Sequence, residues 1–277
     1  MTEFLNAHAR SILIHAVLLV VLAIWMLPEI YTVSEALRTP EQATDPVLFS
    51  WPITLANFKT VVSENPLAQI FLNSLIVTVA TVVIVISVAS LFAFGCAVLR
   101  LRGSQVLYTT LLTTLMAPLA SLVLPLAILL KKFGWMNTYW GLIFPYAALG
   151  VPFAIVILKA FMDDAPKELF EAARVDGCNV WQSFWHVALP LVRPALVFVA
   201  IWQFIVTWNE FFLALIVMTK SEMKTLTIVP MQYSGLYMAN PGALFAVLTL
   251  IAAPLILLYI VVQRAFVRGL LAGAVKG

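Results

Sequence analysis

The sequence predicts an all-α membrane protein with six transmembrane helices. Its 277 residues are 63% hydrophobic and only 10% charged, with a mean hydropathy of +1.02. Soluble domains are about half apolar and about a quarter charged. The apolar residues come in continuous runs of spanning length, not in alternation, so a β-barrel does not compete. Against that background one compact, charged, helix-patterned insert stands out at 163–190.

A span needs ~20 mostly apolar residues to cross ~30 Å of hydrocarbon. Six stretches qualify, at about 11–30, 71–98, 106–130, 140–161, 194–218 and 243–262. The first has the outline of a signal peptide, but PEIYTV follows it instead of a small-residue cleavage site, so it reads as an uncleaved span. The second carries the uncharged core LIVTVATVVIVISVASLFAF. Pro118 and Pro125 fall in the third, Pro145 and Pro152 in the fourth, and Pro254 in the sixth. Such prolines mark kinks whose freed backbone groups neighbours must satisfy. The polar stretch 31–70 leaves room for a small extracytoplasmic cap. Residues 1–277 read as a single transmembrane domain.

Lys and Arg set the orientation. With the N-terminus inside, the inner segments hold Arg10, Arg100, Arg102, Lys159, Lys167, Arg174, Arg193, Arg264, Arg268 and Lys276. The outer ones hold Arg38, Lys59, Lys131, Lys132, Lys220 and Lys224. The excess favours two cytoplasmic termini and a cytoplasmic insert.

The insert reads as two short helices. Asp163 or Asp164 suits the first N-cap, with Pro166 in the opening turn. Gly177 suits the left-handed stop after the first helix. Asn179 with Gln182 three residues on has capping-box spacing. Trp181, Phe184, Trp185 and Ala188 fall on one helical face, and Pro190 is expected to end the second helix. A loop packed on its own helices or on the bilayer fits the same pattern.

A net charge of +3 without a long basic run makes nucleic acid a poor partner. Cys96 and Cys178 have neither metal-like spacing nor a disulfide framework. No Gly precedes a Lys, so no P-loop is present. No catalytic, cofactor-binding or metal-binding set converges, and a membrane enzyme has little support. Glu210 is the one acid placed well inside a span, a costly position that points to function by default. An ion-coupled secondary transporter using Glu210 is one alternative; a structural hydrogen bond is the plainer one, and Asn209 shares it. Trp202, Gln203 and Thr207 lie deeper in the fifth span. They suit either helix packing or an apolar pathway with a few placed polar groups.

EAARVDGCNVWQSFWHVALP, at 171–190, resembles the signature of bacterial ABC importer permeases. Glu171, Ala172, Ala173, Gly177, Leu189 and Pro190 match it, and Val187 stands where isoleucine is usual. Asn73-Ser74-Leu75, WNEFFLAL at 208–215 and the ending QRAFVRGLLAGAVKG are similar to the carbohydrate-uptake branch, the maltose-type permeases. The resemblance implies a type I ABC importer permease fold in the bacterial inner membrane, with the insert as a coupling helix between spans four and five. It implies a sister permease subunit, two ATPase subunits that bind ATP and Mg, an extracytoplasmic solute-binding protein and surrounding lipid. A sugar or sugar-like solute is implied, with glycerol phosphate derivatives as the non-sugar alternative.

Overall fold

The computed structural model describes residues 2–42, 49, 51–235 and 240–274, with the backbone alone for 2–9, 40 and 264–274. Helices dominate, and no strand occurs among the described residues. The chain divides into two compact units, Met1–Asn65 with Pro230–Ala253, and Pro66–Val229 with Pro254–Gly277.

In the first unit α1 runs Thr2–Ala36. Its apolar side chains stay exposed on every face from Ile12 to Leu27, as suits contact with lipid. A 3-10 turn follows at Pro40–Gln42, and α2 spans Ala56–Glu64. Asn57 closes the end of α1 by donating to the carbonyls of Ala36 and Arg38, at 3.0 and 2.8 Å. That satisfies acceptors that a helix end leaves open. Glu35 and Arg38 pair at 2.7 Å and are both buried. Tyr233 accepts from Asn65 and donates to Glu64, each at 2.9 Å. Burial first, then the Glu64 carboxylate, pushes the Tyr233 phenol up to about 12. The expected cap thus has a packed element at 31–42 and 51–65; residues 43–48 and 50 lie outside the described residues.

The second unit is organised on α3, Leu67–Ala97. There follow α4 at Ser104–Thr114, α5 at Leu119–Lys132 and α6 at Trp140–Asp163. Next come α7 at Lys167–Val175, α8 at Val180–Ser183, α9 at Leu189–Leu191, α10 at Arg193–Trp208 and α11 at Phe212–Val217. Last is α12 at Pro241–Ala274, which belongs in part to each unit. One core joins Val85, Ala89, Ala93 and Phe94 of α3 to Ala154, Ile155 and Leu158 of α6 and to Ala195 and Val199 of α10. The alanines let the helix axes approach, the usual basis of helix packing in lipid.

Among the described residues, four helices are long and apolar enough to cross a membrane, or up to six if each bent pair is one span. The stretch at 106–130 is not one helix. It breaks at 115–118, and α4 and α5 meet at 104°. Pro118 sits at the break as the extended N-cap of α5; it has no N–H to donate, and its ring disfavours helical backbone at Ala117 before it. The freed groups are recovered by tight turns, Leu115 to Leu112, Met116 to Thr113 and Ala117 to Thr114. The stretch at 194–218 also breaks, after Trp208, and resumes at Phe212.

Candidate functional site

The insert at 163–190 is a closed two-helix unit. Neither aspartate occupies the N-cap position of α7. Helix α6 runs on to Asp163, which pairs with Lys159 at 2.5 Å, and Pro166 takes the N-cap position with extended backbone. At its other end α7 stops as expected. Gly177 has φ +82°, Cys178 N–H donates to the Ala173 carbonyl at 2.9 Å, and Gly177 N–H donates to that of Arg174 at 3.1 Å. This is a Schellman closure, and nothing crowds the Gly177 Cα, so its backbone angle alone demands glycine. Two residues later Asn179 and Gln182 form the reciprocal capping box, at 2.9 and 2.8 Å.

Pro190 does not end the second helix. A π turn at Phe184–Ala188 lets Leu189 N–H reach the Phe184 carbonyl, and the chain carries Pro190 inside α9. One skipped residue makes room for the ring. The course ends at Val192, and α10 leaves at 76°. The aromatic face splits. Phe184 and Ala188 are buried, Phe184 meeting Phe94 at 5.3 Å, while Trp181 and Trp185 stay 63% and 61% exposed. The unit thus buries one edge of the stripe and leaves the other edge, with both tryptophans, uncovered. Ala173 is buried, Leu189 half-buried, and Glu171, Ala172, Gly177 and Pro190 exposed. Glu171 and Arg174 line, with Arg100 and Lys167, a cavity of about 450 Å³.

Glu210 does not ride on a continuous helix. It lies in the break between α10 and α11 and caps the latter, accepting Leu213 N–H at 3.0 Å and Ala214 N–H at 3.2 Å. The Tyr146 hydroxyl of α6 donates to the same carboxylate. Its own carbonyl accepts from Thr227 at 2.8 Å. Below it Gln203, 4% exposed, donates to Thr207 at 2.8 Å and lies flat on Gly150 of α6, where any Cβ would run into the Gln203 amide.

Trp202, Gln203, Thr207 and Glu210 share one cavity of about 220 Å³. Asn209 does not join them; it is exposed and bonds back to the Ile205 carbonyl at 2.9 Å. Tyr146, Gly150, Phe153 and Thr114 complete the wall, and sequence reasoning passed over the first three. Phe153 faces Trp202 at 5.3 Å. A tyrosine in the middle of an apolar span was the available signal, because a buried phenol needs a partner.

Two asparagines pin the segment that follows. Asn73 donates to the carbonyls of Glu222 and Lys224 at 2.8 and 2.9 Å, and accepts from Tyr139 and Gln69 at 2.8 and 3.0 Å. Its Ser74 neighbour accepts Leu226 N–H at 2.8 Å. Asn137 accepts the N–H groups of Thr219 and Lys220 at 2.7 and 2.8 Å.

Residues 86–271 match the family described as binding-protein-dependent transport system inner membrane component. The chain belongs to this family. It is a multi-pass inner-membrane transport component, a permease and not an enzyme. Among its relatives is the probable ABC transporter permease protein YurM of Bacillus subtilis, 38% identical over 76% of this chain and 70% of that one. The diacetylchitobiose uptake system permease protein DasC of Streptomyces coelicolor is 35% identical over 84% of each chain. The trehalose/maltose transport system permease protein MalG of Thermococcus litoralis is 32% identical over 85% of this chain and 87% of its own. The fold of this family member also superposes on a chain of a bacterial ABC transporter involved in import of the acidic polysaccharide alginate. That match has a TM-score of 0.79, with 22% identity, over 92% of this chain and 95% of the other.

Proposed function

We propose that this permease is one half of the membrane pathway of an ATP-driven sugar importer, and that the unit at 163–190 is where ATPase subunits drive it. The observation that carries the reading is the exposed apolar ridge of that unit. Val175, Val180, Trp181 and Trp185 project from a hairpin closed at both helix ends and anchored below by Phe170 and Phe184. Such a ridge on a rigid base suits the groove of another protein. Glu171, Ala172, Ala173, Gly177, Leu189 and Pro190 shape it. The sister permease, two ATPase subunits holding ATP and Mg, and an extracytoplasmic binding protein complete the assembly, with both termini of this chain cytoplasmic. Relatives named for diacetylchitobiose and for trehalose and maltose support a sugar. Trp202, Gln203, Thr207 and Glu210 line this chain's share of the pathway.

The test is co-purification with ATPase subunits. Gly177→Pro and Glu171→Lys are expected to insert normally but to lose the ATPase and solute-stimulated hydrolysis. Full assembly and transport in both variants would overturn the docking role.

A further inference from the structure

We propose that Glu210 makes this wall of the pathway exclude anions, so that the solute it passes is neutral or cationic and not phosphorylated or acidic. The inference rests on reading the cavity as pathway. Among the described residues lining it, Glu210 is the one charged side chain; no Lys, Arg or His lies there. The groups that hold its carboxylate are neutral, a phenol and two backbone N–H groups. They fix a negative charge in place without cancelling it.

Nor does α6 or α10, which supply most of the cavity wall, bring a compensating cation near. On α10 the one cation is Arg193, 17 residues from Glu210 and so ~25 Å away along a helix at ~1.5 Å per residue. On α6 it is Lys159, committed to Asp163 at 2.5 Å. A cleft with apolar walls focuses the field of a single charge. A phosphate would enter carrying about −1.5 to −2. Neutral hydroxylated rings meet no such barrier: the Trp202 and Phe153 faces suit their C–H sides, and the Gln203 amide and Thr207 hydroxyl suit their oxygens.

The test needs no knowledge of the natural solute. In the full transporter, with Cys96→Ser and Cys178→Ser as background, Val206→Cys places a thiol on the cavity wall one turn before Glu210. Its reaction with cationic, anionic and neutral methanethiosulfonates is measured against a free thiol. The cationic-to-anionic rate ratio is expected to exceed the free-thiol ratio by roughly fivefold or more. Adding Glu210→Gln brings it to about the free-thiol ratio, with the neutral rate unchanged. Should Glu210→Gln fail to assemble, Thr114→Lys puts a cation on the same wall with Glu210 kept, and it too is expected to lower the ratio. A free-thiol ratio with Glu210 present, or a raised ratio that both variants leave unmoved, would overturn the proposal. A thiol that even the neutral reagent cannot reach would instead sink the pathway reading, and this inference with it.

Discussion

The Tyr146 hydroxyl donates to the carboxylate of Glu210, tying the second turn of α6 to the break between α10 and α11. Tyr146→Phe leaves that carboxylate with its two backbone donors. A hydrogen bond to a charged group is worth about 1.5–3 kcal/mol in water-soluble proteins, and less on average between membrane helices. Thermal unfolding in detergent is expected to show a loss of about 1–2 kcal/mol. The effects of Tyr146→Phe and Glu210→Gln should be non-additive, since they share one bond. Additive losses would show that the pair is not coupled.

Gly150 is where α6 gives way to Gln203. Gly150→Val is expected to force the amide into the cavity and lower transport at least tenfold, at normal membrane abundance. Gln203→Ala in the same chain should restore much of it by removing the colliding atoms. If Gln203→Ala gives no rescue, the close approach is not what limits the variant.

In the proposed orientation the attachment of 219–226 is extracytoplasmic, and a protease tests it. Asn73→Ala removes the donors that hold the Glu222 and Lys224 carbonyls. Trypsin added to the extracytoplasmic side is expected to cut after Lys220 or Lys224 several times faster than in the parent. Asn137→Ala should act on the same segment from its other end. Cutting only from the cytoplasmic side would reverse the proposed orientation.

Tyr233 gives the first unit an alkaline limit. Its phenol is pushed from 10.0 up to about 12. The folded state therefore holds a proton that the unfolded chain gives up sooner. The stability this adds is intact below about pH 10 and is lost as pH rises through about 12. The stability difference between the parent and Tyr233→Phe should shrink over that window. A difference constant from pH 8 to 12 would exclude the linkage.

Much of this was legible in the sequence because it is local. Composition and run length announce spanning helices, and Gly177 and the Asn179/Gln182 pair announce helix ends within a few residues of themselves. The misreadings share a different origin. Asp163 was free to cap α7 in one dimension, but α6 reached it first. Pro190 looks like a stop in the sequence because a π turn is a response to packing and has no spacing of its own. Trp181, Phe184, Trp185 and Ala188 share a face by periodicity, yet the burial of only two depends on Phe94 and Phe170, which are remote in the chain. The Glu210 break was hidden for the same reason: Tyr146, which holds the carboxylate, lies 64 residues away.

Only the four residues Asp176 to Asn179 separate α7 from α8, the first end locked by backbone hydrogen bonds and the second by the Asn179/Gln182 box. Stiffness follows, and stiffness decides what a joint transmits. A slack connector absorbs displacement as bending, so its far end lags behind the near one. This joint leaves little slack between α7 and α8, so under the proposed docking role a push on either helix moves both. In that proposed role the hairpin works as a crank, its stroke set by whatever grips it.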